Sequence, residues 1–144
     1  MSNLGGAQNI VSLKNVDQSF VIGEETIDVL HDINFELQAN TFNIIYGPSG
    51  SGKSTLLNIL SGLQHPTKGT VVFGGSKLYE LSPNDLAAFR ANQIGIVYQQ
   101  NYWVKSLTAL ENVSLPMYFL GYSKSSAAKI AQNALEQVGM GSYG

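Results

Sequence analysis

The chain has 144 residues, the size of one ordinary domain, and its 44% hydrophobic content is high enough to exclude intrinsic disorder. Eight Lys and Arg residues against ten Asp and Glu residues give a formal net charge of −2, which disfavours a surface that has to neutralise nucleic-acid phosphates. The absence of cysteine excludes disulfide scaffolds and thiolate sites, and with neither a long apolar span nor a secretory signal the sequence predicts a soluble cytoplasmic protein.

The N-terminal part of the sequence is predicted to be rich in β-structure. Residues 1–9 are mostly small or polar, and we interpret them as a flexible tail. Gly23 and Glu24 mark a hairpin turn within a series of short β-type segments, which cover residues 10–13, 19–22, 26–30 and 33–37. Residues 42–46 are more continuously apolar, which is typical of a strand that is covered on both faces.

A glycine-rich turn separates that strand from a predicted helix over residues 54–61. Leucine and isoleucine cover most of the circumference of this helix, so it is expected to be buried, and Gly62 lies where a C-terminal cap belongs. Further strands are predicted over residues 70–73 and 94–98, and Ser82 is the predicted N-cap of a helix between them.

From about residue 101 the sequence pattern becomes helical. Thr108 and Glu111 form a capping box that opens a helix, which Pro116 is expected to kink or end. A second helical stripe over residues 127–138 closes at Gly139. The sequence therefore predicts two regions, an α/β core over residues 10–100 and a helical region over residues 101–144.

Residues 47–55 carry the motif with the clearest chemistry. They read Gly-Pro-Ser-Gly-Ser-Gly-Lys-Ser-Thr, which matches the P-loop pattern GxxxxGK[ST]. The glycines allow successive backbone N–H groups to turn inward around phosphate oxygens, and the following helix points its unpaired N–H groups at the same place. Lys53 supplies a positive charge to the phosphates, and Ser54 can ligate Mg²⁺. The motif predicts a site for a nucleoside triphosphate.

Longer stretches of the sequence resemble one protein family. The segments GPSGSGKSTLLNILSGL, HPTKGTVVFGG, RANQIGIVYQQ and LTALENVSLP together are similar to the ATP-binding subunit of ABC transporters, and most similar to the subgroup of lipoprotein-releasing, macrolide-export and cell-division ATPases. The resemblance implies an α/β fold of the P-loop NTPase type. Its expected parts are a partial RecA-like parallel sheet, an N-terminal antiparallel β region and the beginning of a helical subdomain.

The resemblance also implies roles for individual residues. Gln99 falls at the Q-loop glutamine, which in this family approaches Mg²⁺ and the attacking water and senses the membrane subunit. Phe20 takes the place of the A-loop aromatic residue that stacks on adenine, although an aromatic residue on a strand also fits ordinary core packing. ATP and Mg²⁺ are the implied cofactors, with Ser54 and Gln99 as metal ligands. The phosphates are expected at the Walker A residues Gly47, Pro48, Ser49, Gly50, Ser51, Gly52, Lys53, Ser54 and Thr55.

The sequence departs from the family pattern in three respects. Phe20 stands where tyrosine is more common, which keeps the stacking face and loses the hydroxyl, and Asn40-Thr41 replaces the usual Gly-Glu turn. After Gln99 the sequence has no LSGGQ-like signature, no apolar strand ending in Asp-Glu and no later histidine. We therefore expect an N-terminal portion of such a subunit, ending inside the helical subdomain, and we expect no ATP hydrolysis by this chain alone.

The partners expected from the resemblance are proteins. A membrane permease is expected to contact the chain near Tyr102 and Trp103, where bulky aromatic residues follow Gln99, with Tyr118 and Phe119 downstream. Ordinary packing of these aromatic side chains is the alternative. A second ATP-binding subunit is expected in the full-length form, and the implied location is the inner face of the cell membrane.

Two functions from different classes stay open. The first is an energy-coupling ATPase of a membrane transporter, and the second is a nucleotide-binding module that responds to ATP without hydrolysing it. A P-loop kinase is disfavoured, because its acceptor-binding lid needs arginines and Arg90 is the only arginine of the sequence. Arg90 ends a capped helix and is expected on a solvated helix surface, with pairing to an acid as the alternative.

Overall fold

The computed structural model describes residues 9–100 and 102–143, which form two compact units that divide between Ile94 and Gly95. The first unit contains four strands and two α-helices in the order β1 (Asn9–Ile22), β2 (Glu25–Gln38), α1 (Lys53–Leu60), β3 (Lys68–Phe73), β4 (Ser76–Lys77) and α2 (Pro83–Gln93). The second unit contains α3 (Ala109–Phe119) and α4 (Lys124–Gln137). Short 3-10 helices cover Leu78–Glu80 and Gly141–Tyr143. The architecture is α/β, as predicted.

The four strands form one antiparallel sheet in the order β2-β1-β3-β4. The predicted turn at Gly23 and Glu24 joins β1 to β2, which confirms the hairpin. The four short β-type segments are joined into these two long strands, although Asn15 and Asp32 have positive φ and interrupt the alternation. The Asn15 side chain donates a hydrogen bond to Asp32 Oδ1 at 2.8 Å, which bridges the two interruptions. Irregular positions therefore lie within continuous strands.

Only one residue of the predicted tail, Asn9, is among the residues that the structure describes. Asn9 is the first residue of β1, because it pairs with Gln38 of β2, so it is not part of a flexible tail. The other tail residues, 1–8, lie outside the described residues.

The core of the first unit lies between the sheet and the helices α1 and α2. Three apolar residues of α1 are buried, but Leu57 is 51% exposed, so the helix is buried on one side rather than around most of its circumference. The core cluster consists of Val11, Leu13, Val16, Leu30, Leu56, Ile59, Leu60, Val71, Leu78 and Leu86.

Two predicted strands are absent from the sheet that the structure describes. Residues 41–47 and 94–98 carry no strand pairing, and the side chains of Phe42 and Tyr46 are 90% and 91% exposed. The prediction of strands at 42–46 and 94–98 is therefore wrong for this chain. An apolar run shows that a segment is suited to burial, but a strand forms only where neighbouring strands supply hydrogen-bond partners.

The predicted helix caps are confirmed. Ser82 accepts a hydrogen bond from the Asp85 N–H at the start of α2. Thr108 and Glu111 form a capping box at α3 in which each side chain accepts from the other residue's N–H. Pro116 does not end α3, which continues to Phe119, because a proline inside a helix removes one hydrogen bond and leaves the rest of the ladder intact.

The second unit is a pair of helices with a small core. Ala127, Ala131 and Leu135 are the buried residues of α4, and they lie on the predicted apolar stripe. The helix ends at Gln137, and Gly139 follows with φ +75°, which agrees with the predicted end. No helix among residues 9–100 and 102–143 is long and apolar enough to cross a membrane.

The C-terminal end of α1 is fixed by its own turn and by two side chains. Gly62 has φ +68°, and the N–H groups of Gly62 and Leu63 bond to the carbonyls of Ile59 and Asn58, which is the expected glycine cap. The Tyr79 hydroxyl donates a hydrogen bond to the Ile59 carbonyl, and Arg90 donates one to the Gly62 carbonyl at 3.0 Å. The cation Arg90 therefore lies at the negative end of the helix dipole, where it is favourable.

The N-terminal end of α1 rests directly on β2. Gly52 has φ +84°, and a Cβ built on it would lie 2.9 Å from Leu30 Cδ2 and 3.0 Å from the Val29 carbonyl oxygen. Only glycine allows both this backbone conformation and this close approach. The contact sets the distance between the start of α1 and the hairpin.

Raising the pH should destabilise the protein through Tyr79. Burial raises the pKa of Tyr79 to about 12, although the Arg90 guanidinium acts to lower it. Because the folded pKa lies above the unfolded value near 10, the stabilisation is complete below pH 10 and is lost as the pH rises through 12. Urea unfolding measured between pH 10 and pH 12 should show the free energy of unfolding fall by roughly 1–2 kcal/mol. The fall is limited to this size because the Tyr79 side chain is only half-buried and solvent screens part of the effect. Tyr79→Phe should lack this component, and an identical fall in that variant would contradict the assignment.

Replacing Gly52 by alanine should destabilise the first unit more than the same change at Gly50. Both glycines have positive φ, which costs about 1–2 kcal/mol for a residue with a Cβ, but a Cβ at Gly50 has nothing within 4 Å. Gly52→Ala must in addition displace α1 from β2, so its free energy of unfolding should drop by at least about 1 kcal/mol more. Urea denaturation of the two variants measures the difference, and equal losses would show that the close contact with β2 is not significant.

Candidate functional site

The P-loop connects the exposed segment 42–46 to α1. Within it the Ser51 N–H bonds to the Pro48 carbonyl at 3.3 Å, which closes a tight turn, and Gly50 has φ +80° at the tip of that turn. The side chains of Ser49 and Ser51 are exposed. The loop is therefore an open turn whose outer side is accessible to a ligand.

The first turn of α1 lacks the side-chain cap that the other described α-helices possess. Ser82, Thr108 and Ser123 each accept a hydrogen bond from a backbone N–H at the start of α2, α3 and α4. At α1 the N-cap is Gly52, which has no side chain to accept one. The unpaired N–H groups and the positive end of the α1 dipole remain free to bind an anion.

Lys53 brings the positive charge into the P-loop itself. Its Nζ donates hydrogen bonds to the carbonyl oxygens of Gly47 and Pro48, at 2.9 and 2.6 Å, and lies 3.4 Å from Ser51 Oγ. The carbonyl groups of the loop thus hold the ammonium group, and Lys53 is itself the first residue of α1. Ser54 and Thr55 follow in the same first turn, with Ser54 exposed and Thr55 half-buried.

Phe20 lies on the face of the β1–β2 hairpin against which the P-loop rests. It pairs with Ile27 across the hairpin, so both side chains project from one face. Leu30 pairs with Gln18, whose side chain shares the face of Phe20 because side chains alternate along β1. A Cβ at Gly52 would lie 2.9 Å from Leu30 Cδ2. The 38% exposed Phe20 side chain therefore lies about 7 Å along the strand from the P-loop contact.

Gln99 belongs to the second unit, whereas Phe20 and residues 47–55 belong to the first. The structure brings Phe20 and the P-loop onto one face of the first unit. Gln99 is exposed on a bend that follows the unpaired segment 94–98. Its amide oxygen is a metal donor or hydrogen-bond acceptor and a poor proton acceptor.

The predicted aromatic patch of the second unit lines a broad groove of about 620 Å³. Tyr98, Tyr102, Trp103 and Phe119 contribute to it, and the rings of Tyr98 and Tyr102 meet edge to face at 5.1 Å between centroids. None of the described residues that line the groove is charged. Tyr118 does not line this groove but is half-buried beside a second depression.

Sequence reasoning missed the residues that hold the P-loop helix in place. Arg90 is half-buried and bonded to Gly62 rather than on a solvated surface, so that prediction is wrong. Tyr79, Val29 and Leu30 also contact α1 or its start. These contacts join residues that are distant in sequence, so a local pattern does not predict them. The one available signal was that the only arginine of the sequence, Arg90, lies on a helix with little other charge.

The described residues offer a divalent cation few ligands of their own. Residues 9–100 and 102–143 contain no group of three His, Cys, Asp or Glu side chains that could hold a metal ion. A cation at the P-loop would therefore depend on hydroxyl or amide oxygens and on the oxygens of a bound phosphate.

Comparison with known proteins gives a consistent result. The family model for ABC transporters matches residues 30–143. The ABC transporter ATP-binding protein YknY of Bacillus subtilis is 42% identical over 91% of this chain, and MJ1508 of Methanocaldococcus jannaschii is 44% identical over 92%. The macrolide export ATP-binding/permease protein MacB of Bartonella quintana is 39% identical over 94% of the chain, which spans 20% of that protein.

A solved structure confirms the fold class. The ATP-binding cassette MJ0796, in a dimeric post-hydrolysis state bound to ADP and Pi, superposes with a TM-score of 0.80 at 42% identity over 88% of this chain. The chain spans 56% of that cassette and 57% of YknY, so it corresponds to about half the length of these relatives. Because the family model matches most of the chain, the chain belongs to the ABC transporter family and corresponds to part of an ATP-binding cassette.

Proposed function

We propose that this chain binds Mg·ATP as the nucleotide-binding part of an ABC-type ATPase that couples ATP binding and hydrolysis to a membrane permease. The observation that carries the proposal is the P-loop, in which loop carbonyls hold the Lys53 ammonium group and the α1 N-terminus has no side-chain cap. A cation and several N–H donors converge there, and a polyphosphate is the ligand that such a site binds. The relative MJ0796 is bound to ADP and Pi, which supports the same ligand class.

The proposed roles divide the nucleotide between the P-loop and the hairpin. Residues 47–52 provide backbone N–H groups for the phosphate oxygens, apart from Pro48, which has no N–H group, and Ser51, whose N–H bonds to the Pro48 carbonyl. Lys53 neutralises the β- and γ-phosphates, and Thr55 lies near the α-phosphate. Phe20 stacks on the base from the face that it shares with the P-loop. This assignment uses only residues of the first unit.

Mg²⁺ fits the oxygen donors that remain. Ser54 and Gln99 offer a hydroxyl and an amide oxygen, which are hard ligands of the kind that Mg²⁺ accepts. Mg²⁺ in nucleotide sites keeps several waters and takes further oxygens from the phosphates, so it needs few protein donors. The ion supplies charge neutralisation on the phosphates when bound. Gln99 orients a water molecule rather than removing its proton.

The proposed partners follow from the relatives. MacB of Bartonella quintana is named as an ATP-binding/permease protein for macrolide export, which supports the subgroup of lipoprotein-releasing, macrolide-export and cell-division ATPases. We assign the uncharged groove near Tyr102 and Trp103 to the permease subunit and propose that the chain lies on the inner face of the membrane. The dimeric state of MJ0796 supports a second ATP-binding subunit for the full-length form.

A second candidate function is a nucleotide-binding module without hydrolysis. Glu111 and Glu136 are the only acids after Gln99. Glu111 accepts the Thr108 N–H in the α3 capping box, and Glu136 accepts a hydrogen bond from Gln132 at 3.1 Å. Both carboxylates are engaged within helical structure, so neither is available to activate a water molecule. Within this chain, we expect ATP binding without measurable turnover.

Lys53→Ala should abolish most of the affinity for Mg·ATP. A charge-assisted hydrogen bond contributes about 1.5–3 kcal/mol, so the dissociation constant from isothermal titration calorimetry should rise by roughly 10- to 150-fold. Lys14→Ala, which removes an exposed lysine of β1, is the matched control and should bind like the original chain. Unchanged binding by Lys53→Ala in folded protein would contradict the proposed site. Phosphate release that Lys53→Ala abolishes would exclude the non-hydrolysing alternative.

Trp103→Ala should weaken binding to the permease. Large aromatic side chains commonly dominate interface energies, and their truncation typically costs about 2 kcal/mol or more. The measurement is co-purification of this chain from membranes of cells that also express the candidate permease. Tyr122→Ala is the control, because Tyr122 is an exposed aromatic residue of the same unit outside the groove. Equal recovery of both variants would remove the groove from the proposed interface.

A further inference from the structure

We propose that the exposed segment 42–46 is a docking strand for the same segment of a second copy of this chain, so that two copies form a closed dimer. The pairing gives the segment the hydrogen-bond partners that the described sheet does not offer it. It uses no residue of the P-loop, so the inference does not depend on nucleotide binding.

The backbone of segment 42–46 has its hydrogen-bonding groups free. Among residues 9–100 and 102–143, no sheet or turn hydrogen bond involves the N–H or carbonyl groups of this segment. The side-chain bonds nearby run from Thr41 to the Gln38 carbonyl and from Asn43 to Thr41 Oγ1, and they leave these groups unused. Unpaired backbone groups along an exposed segment are a template on which another chain can pair.

The side chains of the segment form an exposed apolar row. Phe42, Ile44 and Tyr46 are 90%, 72% and 91% exposed. Alternate residues of a strand project from one face, so pairing would bring these three side chains together on one side. A depression of about 510 Å³ between the segment and apolar side chains of β2 and α1 adds to the apolar surface. Contiguous apolar surface of this kind marks a site of interaction.

The charge distribution permits two copies to pair here. No charged residue occurs between Glu36 and Lys53, so antiparallel copies of the segment bring no like charges opposite each other. The Glu36 carboxylate, which lines the depression, accepts a hydrogen bond from Asn9 Nδ2. Exposed strand edges are commonly protected by lysine or proline, and segment 42–46 contains neither.

The segment is complementary to itself in one register. In an antiparallel pair centred on Ile44, the two Ile44 side chains meet at a two-fold axis, and Phe42 of each copy lies opposite Tyr46 of the other. Aromatic cross-strand pairs stabilise a sheet. Burial of the two rings in both copies covers roughly 600–1,000 Å². With Ile44 and the backbone added, the buried area approaches the roughly 1,200 Å² of a small specific interface.

Sedimentation velocity over a range of concentrations tests the proposal, and the chain should pass from monomer to dimer as its concentration rises. Ile44→Lys places two like charges at the two-fold axis, so the dimer dissociation constant should rise at least about 10-fold. Val21→Lys is the matched control, because Val21 is 75% exposed on β1 outside the segment, and this variant should dimerise normally. Circular dichroism checks that both variants fold, as expected for residues outside the core cluster.

A cysteine at the two-fold axis tests the register. The chain has no cysteine, so the only disulfide that Ile44→Cys can form links two copies. Directly opposite residues of an antiparallel pair have Cβ atoms about 4.5–5.5 Å apart, which a small adjustment brings within disulfide range. Mild oxidation should convert Ile44→Cys to a covalent dimer, whereas Val21→Cys should stay monomeric on a denaturing gel.

The proposal is overturned if the chain is a monomer at every concentration, or if Ile44→Lys leaves a dimer intact, since a different surface then joins the copies. Failure of Ile44→Cys to cross-link within a dimer excludes the register. Aggregates without a limiting size would show open-ended pairing instead of a closed dimer. Slow hydrogen exchange at residues 42–46 of a monomer would show that another part of the chain covers the segment, which also overturns the proposal. A cross-linked dimer that binds no nucleotide would support this inference and contradict only the proposed function.

Discussion

The contact between Gly52 and β2 determines where the helix α1 begins, and the phosphate-binding geometry depends on that position. Gly52 lies against Val29 and Leu30 without a Cβ between them. Tyr79 and Arg90 hold the other end of the helix through the carbonyls of Ile59 and Gly62. With both ends fixed, the unpaired N–H groups of the first turn keep a constant direction, and a preorganised donor set binds an anion at little additional cost in conformational entropy.

The same arrangement explains why the charges of this small site are few and still effective. Lys53 is enclosed by the carbonyls of Gly47 and Pro48, and Arg90 lies at the opposite end of α1. The loop carbonyls hold Lys53 at the positive end of the α1 dipole, so a chain with a net charge of −2 can still attract a polyanion there. The two acids that follow Gln99 accept hydrogen bonds within helical structure.

Local signals in the sequence were sufficient for the elements whose cause is local. The hairpin turn at Gly23 and the caps at Ser82 and Thr108 depend on neighbours within a few residues, and the structure confirms them. Residues 42–46 and 94–98 were predicted to be strands from apolar content alone. Strand formation depends on partners elsewhere in space, and the described sheet supplies none for them. Arg90 was misplaced for the same reason, because its carbonyl partner lies 28 residues away.

The two halves of the candidate site differ in how far apart in sequence their contacts lie. Phe20 stands on a hairpin of two 14-residue strands joined by two residues, so most of its pairings are between near neighbours along the chain. Gly52 of the P-loop, in contrast, contacts Val29 and Leu30 of β2, from which it is separated by a long stretch of chain. Contacts between residues close in sequence form faster than contacts between distant ones. The β1–β2 hairpin that carries Phe20 should therefore form early. The P-loop should take its final position afterwards, when α1 packs on the hairpin.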